Sequence, residues 1–472
     1  MTTAVQPHKT GFCIGVTCPG CGGELELQDD FFILACPHCA SVLRVVMPEV
    51  PAAYLVPRKR TKLEVRPLVD RYCKENGLPL TGSYFQIQST LYPYWKIDAV
   101  RLKVRNTVYE ADLNPDAESM EESQTEEREF TSVGLMPFTG SCAAGPASQE
   151  IPFTLGVRTD YIRMIPFADQ NIGPDENCTA VLSPMQKAVE QIVAGISRMG
   201  QLDATSARKN STELLHPKGS MVFFPYFVVD SQAASKLIRF VVDGVTGRVA
   251  GHSILEDVMV TAPASDEEPA KIEFGALGVV PHRCPNCGVD LPATKSYVYQ
   301  CHNCEHLFFM ENNPMLKNEL EETSGQLTEN DNLVPFWVFH LPLESSSQLQ
   351  RLFGGIYQSN SILVPGFKMR NLEAMFRLCK RMSSMAPKLS LGKCEKLAEK
   401  HLPVTISAEE AMTMVEVIWK REVVGRELGK AKGLAPFSPI AISLLFTPFH
   451  SEQYFFVDSI SGAVTFERGS LA

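Results

Sequence analysis

Residues 18–39 of the chain read CPGCGGELELQDDFFILACPHC, two Cys-x-x-Cys pairs with fourteen residues between them, and CPNCGVDLPATKSYVYQCHNC repeats the arrangement at 284–304. No other feature restricts the fold as much. A Cys-x-x-Cys turn supplies two thiolates from one tight loop, half of a tetrahedral soft-metal shell, and the second pair completes it. Eight of the fourteen cysteines fall in these pairs, so metal accounts for the cysteine content better than a disulfide framework does. The expected ligands are Cys18, Cys21, Cys36 and Cys39 for one ion and Cys284, Cys287, Cys301 and Cys304 for the other. Zn2+ is the expected cofactor, two per chain, and iron is the alternative because the same four sulfurs would hold it. A redox dithiol stands alone beside a helix N-terminus, whereas every pair here has a partner at hairpin distance. Four thiolates close the shell and leave no position for an activated water, so the expected role is structural. His38, His302 and His306 are read as solvent-facing neighbours of the ligands.

Between the first two pairs, ELEL and FFIL flank QDD, which predicts strand, turn, strand bringing the distal pair back to the first. SYVYQ is the corresponding returning strand of the second quartet.

Beyond the quartets the chain repeats itself. LYPYWKI (91–97), FFPYFVV (223–229), LVPFWVF (333–339) and FTPFHSE (446–452) each place Pro before an aromatic in an apolar strand. Pro93, Pro225, Pro335 and Pro448 cannot donate to a ladder and are expected at strand starts or edges. FVVDGVTGRV (240–249) and FFVDSISGAV (455–464) predict hairpins in which Asp243 and Asp458 accept from turn amides, while Gly247 and Gly462 take positive φ. Three amphipathic helices lie between. Ser183 and Pro184 open a stripe of Met185, Ala188, Val189, Ile192, Val193 and Ile196. Asn371 caps Leu372, Met375, Phe376 and Cys379. Ser407 and Glu410 form a capping box ahead of Ala411, Met412, Val415, Ile418 and Trp419.

The order predicts an α+β protein with an internal duplication: two four-cysteine ribbons, each joined to an α+β module of antiparallel strands and amphipathic helices. The expected boundaries are 14–48 for the first ribbon, 50–260 for its module, 261–280 for a linker, 281–310 for the second ribbon and 330–472 for the second module. At 472 residues, two to four domains are the expectation, and 44% apolar with 21% charged residues is ordinary for a globular chain. Residues 114–129 and 311–332 are acidic and poor in apolar side chains, and are expected to be mobile.

CPGCGG followed by CPHC, then YLVPRKRTKLEVRPLVDRYCKENGLP, LYPYWKIDA and RFVVDGVTGRV, resembles a set of uncharacterised bacterial proteins with tandem zinc ribbons, of the rubredoxin-like or transcription-factor type. The resemblance covers about residues 18–105 and 225–250 and implies small all-β ribbons joined to α+β modules, with no established activity attached. The chain departs from the pattern at Arg58, where an aromatic is usual, and at Pro67, which places the helix start at that proline. CPHCA and CHNCE lack the Gly that follows the first pair of each ribbon.

No phosphate-cradling G-x-x-x-x-G-K-[ST] loop, G-x-G-x-x-G fingerprint, H-E-x-x-H pair or G-x-S-x-G elbow occurs. Cys142 has no identifiable base, and Asp98 and Asp230 are expected to serve as turn acceptors rather than as a carboxylate pair. The net charge of -10 argues against a protein that coats nucleic acid. Residues 18–39 carry Glu24, Glu26, Asp29 and Asp30 with no Lys or Arg, and would repel phosphate. Basic residues gather instead at Arg58, Lys59, Arg60, Lys62, Arg66, Arg71 and Lys74, and at Lys368, Arg370, Arg377, Lys380 and Arg381. No leader segment and no membrane-length apolar run is apparent, which points to a cytoplasmic protein. The leading expectation is a non-enzymatic zinc-binding scaffold or adaptor for a protein partner, with Phe31, Phe32, Tyr297 and Tyr299 as candidate contacts. Nucleic-acid binding through 58–74 and 368–381 is the alternative, and an enzyme with a site between the duplicated halves is third.

Overall fold

The computed structural model describes residues 13–28, 33–46, 48, 50–112, 125–156, 162–202, 207–233, 236–255, 272–275, 277–310, 316–323, 328, 330–342, 360–386, 389, 391–394, 396–424 and 439–471. Most of residues 114–129, much of 311–332, and Phe31 and Phe32 lie outside them. The chain forms two compact units, Met1–Phe130 with Gly134–Pro281, and Thr131–Val133 with His282–Ala472. The class is mixed α+β with strands predominating, and four α-helices are described.

In the first unit the elements are β1 (Cys13–Thr17), β2 (Glu24–Gln28), β3 (Ile33–Ala35), β4 (Val42–Val46), β5 (Ala53–Leu55), α1 (Lys62–Glu75), β6 (Phe85–Asp112), β7 (Thr125–Ala143), β8 (Arg163–Pro166), β9 (Glu176–Cys178), α2 (Met185–Leu202), β10 (Ala207–Ala233), β11 (Lys236–Asp243), β12 (Val249–Leu255) and β13 (Gly278–Pro281). The large sheet runs β12-β11-β10-β5-β8-β1-β2, with β6 pairing β10, β7 and β9. The second unit contains β14 (Val298–Gln300), β15 (Leu307–Phe309), β16 (Leu316–Thr323), β17 (Asp331–His340), β18 (Ser361–Pro365), α3 (Leu372–Met385), β19 (Leu391–Lys393), α4 (Ala408–Val424), β20 (Ala441–Ser451), β21 (Phe455–Asp458) and β22 (Thr465–Glu467). Its main sheet runs β18-β17-β20-β16-β19, extended by β21 and β22.

The Pro-aromatic strands form the centre of each unit, and their register is the same in both. Pro93 faces Phe223 and Pro225 faces Leu91 across β6 and β10; Pro335 faces Phe446 and Pro448 faces Leu333 across β17 and β20. The prolines sit inside long strands, not at the starts or edges that their missing N–H predicts. Register explains how they are tolerated. Pro225 and Pro448 lie where the strand changes partner on one side: β10 leaves β5 at Phe223 and takes β11 at Tyr226, and β20 leaves β16 at Phe446 and takes β21 at Phe449. No donor is needed in that gap, while all four proline carbonyls still accept, from Ala144, Gly244, Gly366 and Ser459 respectively.

Alternation does the rest. Leu91, Trp95 and Ile97 pack with Ala188 and Ile192 of α2, whereas Tyr92 and Tyr94 pack on the other face with Phe224, Tyr226, Ile14 and Leu27. Trp95 Nε1 donates 2.8 Å to the carbonyl of Ser183 just ahead of α2, and Trp337 Nε1 donates 2.9 Å to Ile406 just ahead of α4. The α2 stripe packs as expected, though the helix starts at Met185 and Pro184 rather than Ser183 takes the cap position, its carbonyl accepting from Ala188. The Ser407–Glu410 capping box and the Asn371 cap both form.

Helix α1 differs from expectation. It starts at Lys62, five residues before Pro67, because Glu64 reaches back to the Thr61 amide in a capping box that fixes the N-terminus. The helices also enter at different points: α1 precedes β6 and packs on β11, whereas α3 follows β18 and packs on β18 and β22. Residues 278–281, the last three of the expected linker and the first of the expected second ribbon, form β13 and pair antiparallel with β4.

Both predicted hairpins close as read. Asp243 Oδ1 accepts from the amides of Val245 and Thr246 at 2.8 Å, and the Asp458 carboxylate accepts from Ile460, Ser461 and Val464 at 2.7–3.1 Å, with Gly247 and Gly462 at φ of 78° and 66°. Asp458 is buried, so its truncation strands three amides. Asp458→Ala is expected to destabilise the second unit by about 3 kcal/mol, read as a lowered midpoint in urea.

Candidate metal centres

Each Cys-x-x-Cys pair is the tip of its own hairpin. Cys18–Cys21 joins β1 to β2 and Cys36–Cys39 joins β3 to β4, so the strands flanking QDD do not pair with each other as the spacing predicts. They belong to two sheets that meet at the sulfurs. In the second quartet, Arg283 and Asp290 bridge around Cys284–Cys287, and β14 pairs β15 around Cys301–Cys304. The first ribbon is not a pendant module: β1 pairs parallel with β8, and Ile14 and Leu27 join the core of the large sheet.

The turns repeat one design. Cys18 donates its amide to the Gly23 carbonyl and accepts from Gly22, as Cys36 does with Ser41 and Ala40, and Cys284 with Val289 and Gly288. The amides of Gly20 and His38 point back at Cys18 Sγ and Cys36 Sγ, 3.4 Å each. Gly22 and Gly288 take φ of 73° and 75°, and Ala40 and Glu305 hold the same left-handed place at 59° and 54°. The missing glycines therefore leave the turn geometry intact, with backbone strain of about 1–2 kcal/mol at each site.

The sulfurs of each quartet lie within 4.8 Å of one another. Cys18 and Cys39 are 3.8 Å apart, Cys21 and Cys36 3.8 Å, Cys284 and Cys304 3.7 Å, and Cys287 and Cys301 3.5 Å. A tetrahedron with metal–sulfur bonds of about 2.3 Å has edges of about 3.8 Å, so the spacing suits a single Zn2+ or iron and is far too long for a disulfide. Two groups of four cysteines able to hold metal ions are thus present. One cysteine of each pair is buried in the first quartet, and Cys284 and Cys301 are buried in the second. The Ser41 hydroxyl, 3.3 Å from Cys39 Sγ, and the Ser41 amide pull the Cys39 thiol down to about 6. The Val289 amide, followed by the Asn303 side chain, pulls Cys287 down to about 6. Each quartet therefore contains a thiol whose surroundings favour the thiolate.

Of the flanking histidines, His38 lies against Gly23, where a Cβ would meet the ring at 2.3 Å, and its Nε2 is 3.1 Å from the Glu24 carbonyl. It ties the two hairpins together across the sulfurs, a role the spacing alone did not reveal. His306 stacks beside Phe308.

The remaining candidates do not converge. Cys142 is buried, its thiol donating 3.0 Å to Gln191 Oε1, and burial pushes it up to about 11, which is unsuited to a nucleophile. Asp98 and Asp230 are not turn acceptors: Asp98 takes Lys96 Nζ at 2.5 Å, and Asp230 takes Arg239 through two bonds of 2.7 and 2.9 Å. Asp98 pairs with Lys218 on β10, so Asp230 lies twelve residues away along that strand, about 40 Å. Tyr299 is buried, with its hydroxyl donating to the Thr294 carbonyl, and Tyr297 packs on the core of the second unit. Neither is an exposed contact. Arg58 binds Glu176 at 2.9 Å and lies 4.2 Å over the Phe227 ring, Arg60 pairs with Glu64, Lys62 with Asp175, and Arg66 caps the Gly82 carbonyl over Phe85. Lys59, Arg71 and Lys74 are exposed, and so are Arg370, Arg377, Lys380 and Arg381, the last three sharing one face of α3. No described helix is long and apolar enough to cross a membrane.

Two outcomes are expected. Ala40→Gly relieves the left-handed strain and stabilises the metal-loaded protein by up to about 1 kcal/mol in thermal melts, whereas Glu305→Gly gains less because it also loses the 2.8 Å ion pair to Lys396. Thiols with lowered values are ionised above them and protonate as pH falls, so metal is retained at neutral pH and released with proton uptake on acidification, followed with a chromogenic chelator. No protein-family model matches the chain, and no curated protein and no solved structure matches it.

Proposed function

We propose that the protein is a non-enzymatic, zinc-stapled scaffold or adaptor of the cytoplasm, built from two zinc ribbons and two duplicated α+β modules, and that it recruits a protein partner. The observation that carries the reading is the closed geometry of the two sulfur quartets: each has four soft ligands at tetrahedral spacing and no place for a reacting water. Residues Cys18, Cys21, Cys36 and Cys39 hold one Zn2+, and Cys284, Cys287, Cys301 and Cys304 the other, each at the junction of two hairpins. Binding free energy of about 10 kcal/mol or more, typical of structural zinc peptides, becomes folding free energy of the strands that meet there.

The common register of the Pro-aromatic strands, the matching Trp bonds ahead of α2 and α4, and the Asp-Gly hairpins support duplication. The different entry points of α1 and α3 limit it to the central strands. The surface offered to a partner is the rim of the first ribbon, where β2 ends the sheet order with Glu24 and Glu26 exposed and Glu24 also pairing with Arg163 at 3.2 Å. That rim favours a basic protein segment and disfavours phosphate.

A second reading, binding of nucleic acid, rests on the exposed Arg377, Lys380 and Arg381 of α3 with Arg370. Residues 58–66 contribute less, since most of their cations are held by Glu176, Glu64 and Asp175.

Metal analysis of protein purified without chelators should give two zinc ions per chain, and one after Cys18→Ser with Cys21→Ser. Affinity capture with the wild type should recover a defined partner that this double variant loses. Capture unaffected by the double variant would sink the ribbon-dependent interface. A mobility shift of nucleic acid at low salt that disappears on charge reversal at Arg377 and Arg381 would favour the second reading.

A further inference from the structure

A row of polar side chains crosses four neighbouring strands of the second unit. Ser361 on β18 stands opposite His340 on β17, Ser443 on β20 is the diagonal neighbour of His340, and Glu321 on β16 is the diagonal neighbour of Ser443. Ser361 Oγ is 3.3 Å from His340 Nδ1, His340 Nε2 is 3.1 Å from Ser443 Oγ, and Ser443 Oγ is 3.2 Å from Glu321 Oε2. Ser443 is fully buried, and the other three are half-buried.

An ionised Glu321 fixes the direction of the Ser443 bond, and with a neutral His340 imidazole the other two follow. An ionised carboxylate only accepts, so the single Ser443 proton goes to Glu321. Ser443 oxygen must then accept from His340, which places the imidazole proton on Nε2 and leaves a lone pair on Nδ1. Nδ1 can only accept, and the Ser361 hydroxyl donates to it. A hydroxyl is thereby joined to a neutral imidazole whose far side is braced by a carboxylate through a second hydroxyl, the relation that activates serine nucleophiles.

The first unit holds the same position with different chemistry. Counting five residues from Pro93 and Pro335 gives Asp98 and His340, and five residues before Ala144 and Gly366, which bond those prolines, gives Thr139 and Ser361. Thr139 Oγ1 donates 2.9 Å to Asp98, but the buried Lys96 offsets that carboxylate. The second unit places an imidazole there instead of a carboxylate.

We propose that Ser361 is a covalent acceptor that takes an acyl group from an activated ester, with His340 as general base. Ser361 Oγ attacks the acyl carbon, its proton passes to His340 Nδ1, the new ester bond forms as the bond to the leaving group breaks, and the leaving alkoxide departs or takes up that proton. Ser443 and Glu321 act through His340 as positioning residues.

The full-length protein treated with p-nitrophenyl acetate near neutral pH, quenched in acid and mapped by peptide mass spectrometry should carry acetyl on Ser361 with release of p-nitrophenolate, while Thr139 stays unmodified. His340→Gln should slow the labelling about a hundredfold or more, Ser443→Ala should slow it less, and Ser361→Ala should abolish it at this site. Retained zinc and circular dichroism identify folded variants. Should a variant misfold, the wild-type map decides: acetyl confined to lysines, or spread over serines without preference for Ser361, overturns the proposal. An unchanged rate in folded His340→Gln overturns it as well.

Discussion

Four thiolates held within 4.8 Å of one another repel unless a cation sits among them, and both sulfur quartets impose that condition on the hairpins around them. The consequence is mechanical. A hairpin of five-residue strands is marginal alone, and the first ribbon's two hairpins lie in different sheets, so the sulfurs are where those sheets are joined. Because β1 continues into the large sheet through β8, the first quartet is coupled to a core containing Tyr92, Tyr94 and Tyr226. Local amides and the Ser41 hydroxyl favour the charged thiolate before any metal arrives.

Within each unit the second organising constraint is the proline in the central strand. A proline there would usually leave a defect in the ladder. In β10 and β20 it coincides with a change of partner, and in all four strands its carbonyl accepts from the residue just past the end of the next strand. This lets one long strand serve two neighbours in succession. The Trp two residues on then fixes the following helix through the bonds from Trp95 to Ser183 and from Trp337 to Ile406.

Much of this was legible in the residues. Cys-x-x-Cys spacing located both quartets, apolar periodicity located α2, α3 and α4, and Asp with Gly located the hairpins, because each is a local rule with a short range. The failures were non-local. Prolines read as edge markers lie inside strands because partner switching depends on residues far away in sequence. The strands between the first two cysteine pairs alternate as a hairpin should, yet each prefers the neighbour across its own cysteine turn. Pro67 suggested a late helix start, but Glu64 and Thr61 settled it earlier. Arg58 lies over the Phe227 ring, a contact its charge did not suggest. The row from Ser361 to Glu321 carries no sequence signature, since its four members come from four strands.

Strand β13 has a bearing on how the molecule can be divided. Its residues 278–281 cover one side of β4, whose other side is taken by β3. A fragment ending at 260 would strip that cover and expose an apolar edge, VLRVV, open to pairing between copies. Cutting after Pro281 keeps the edge closed, so the natural border of the N-terminal unit lies immediately before the second cysteine quartet.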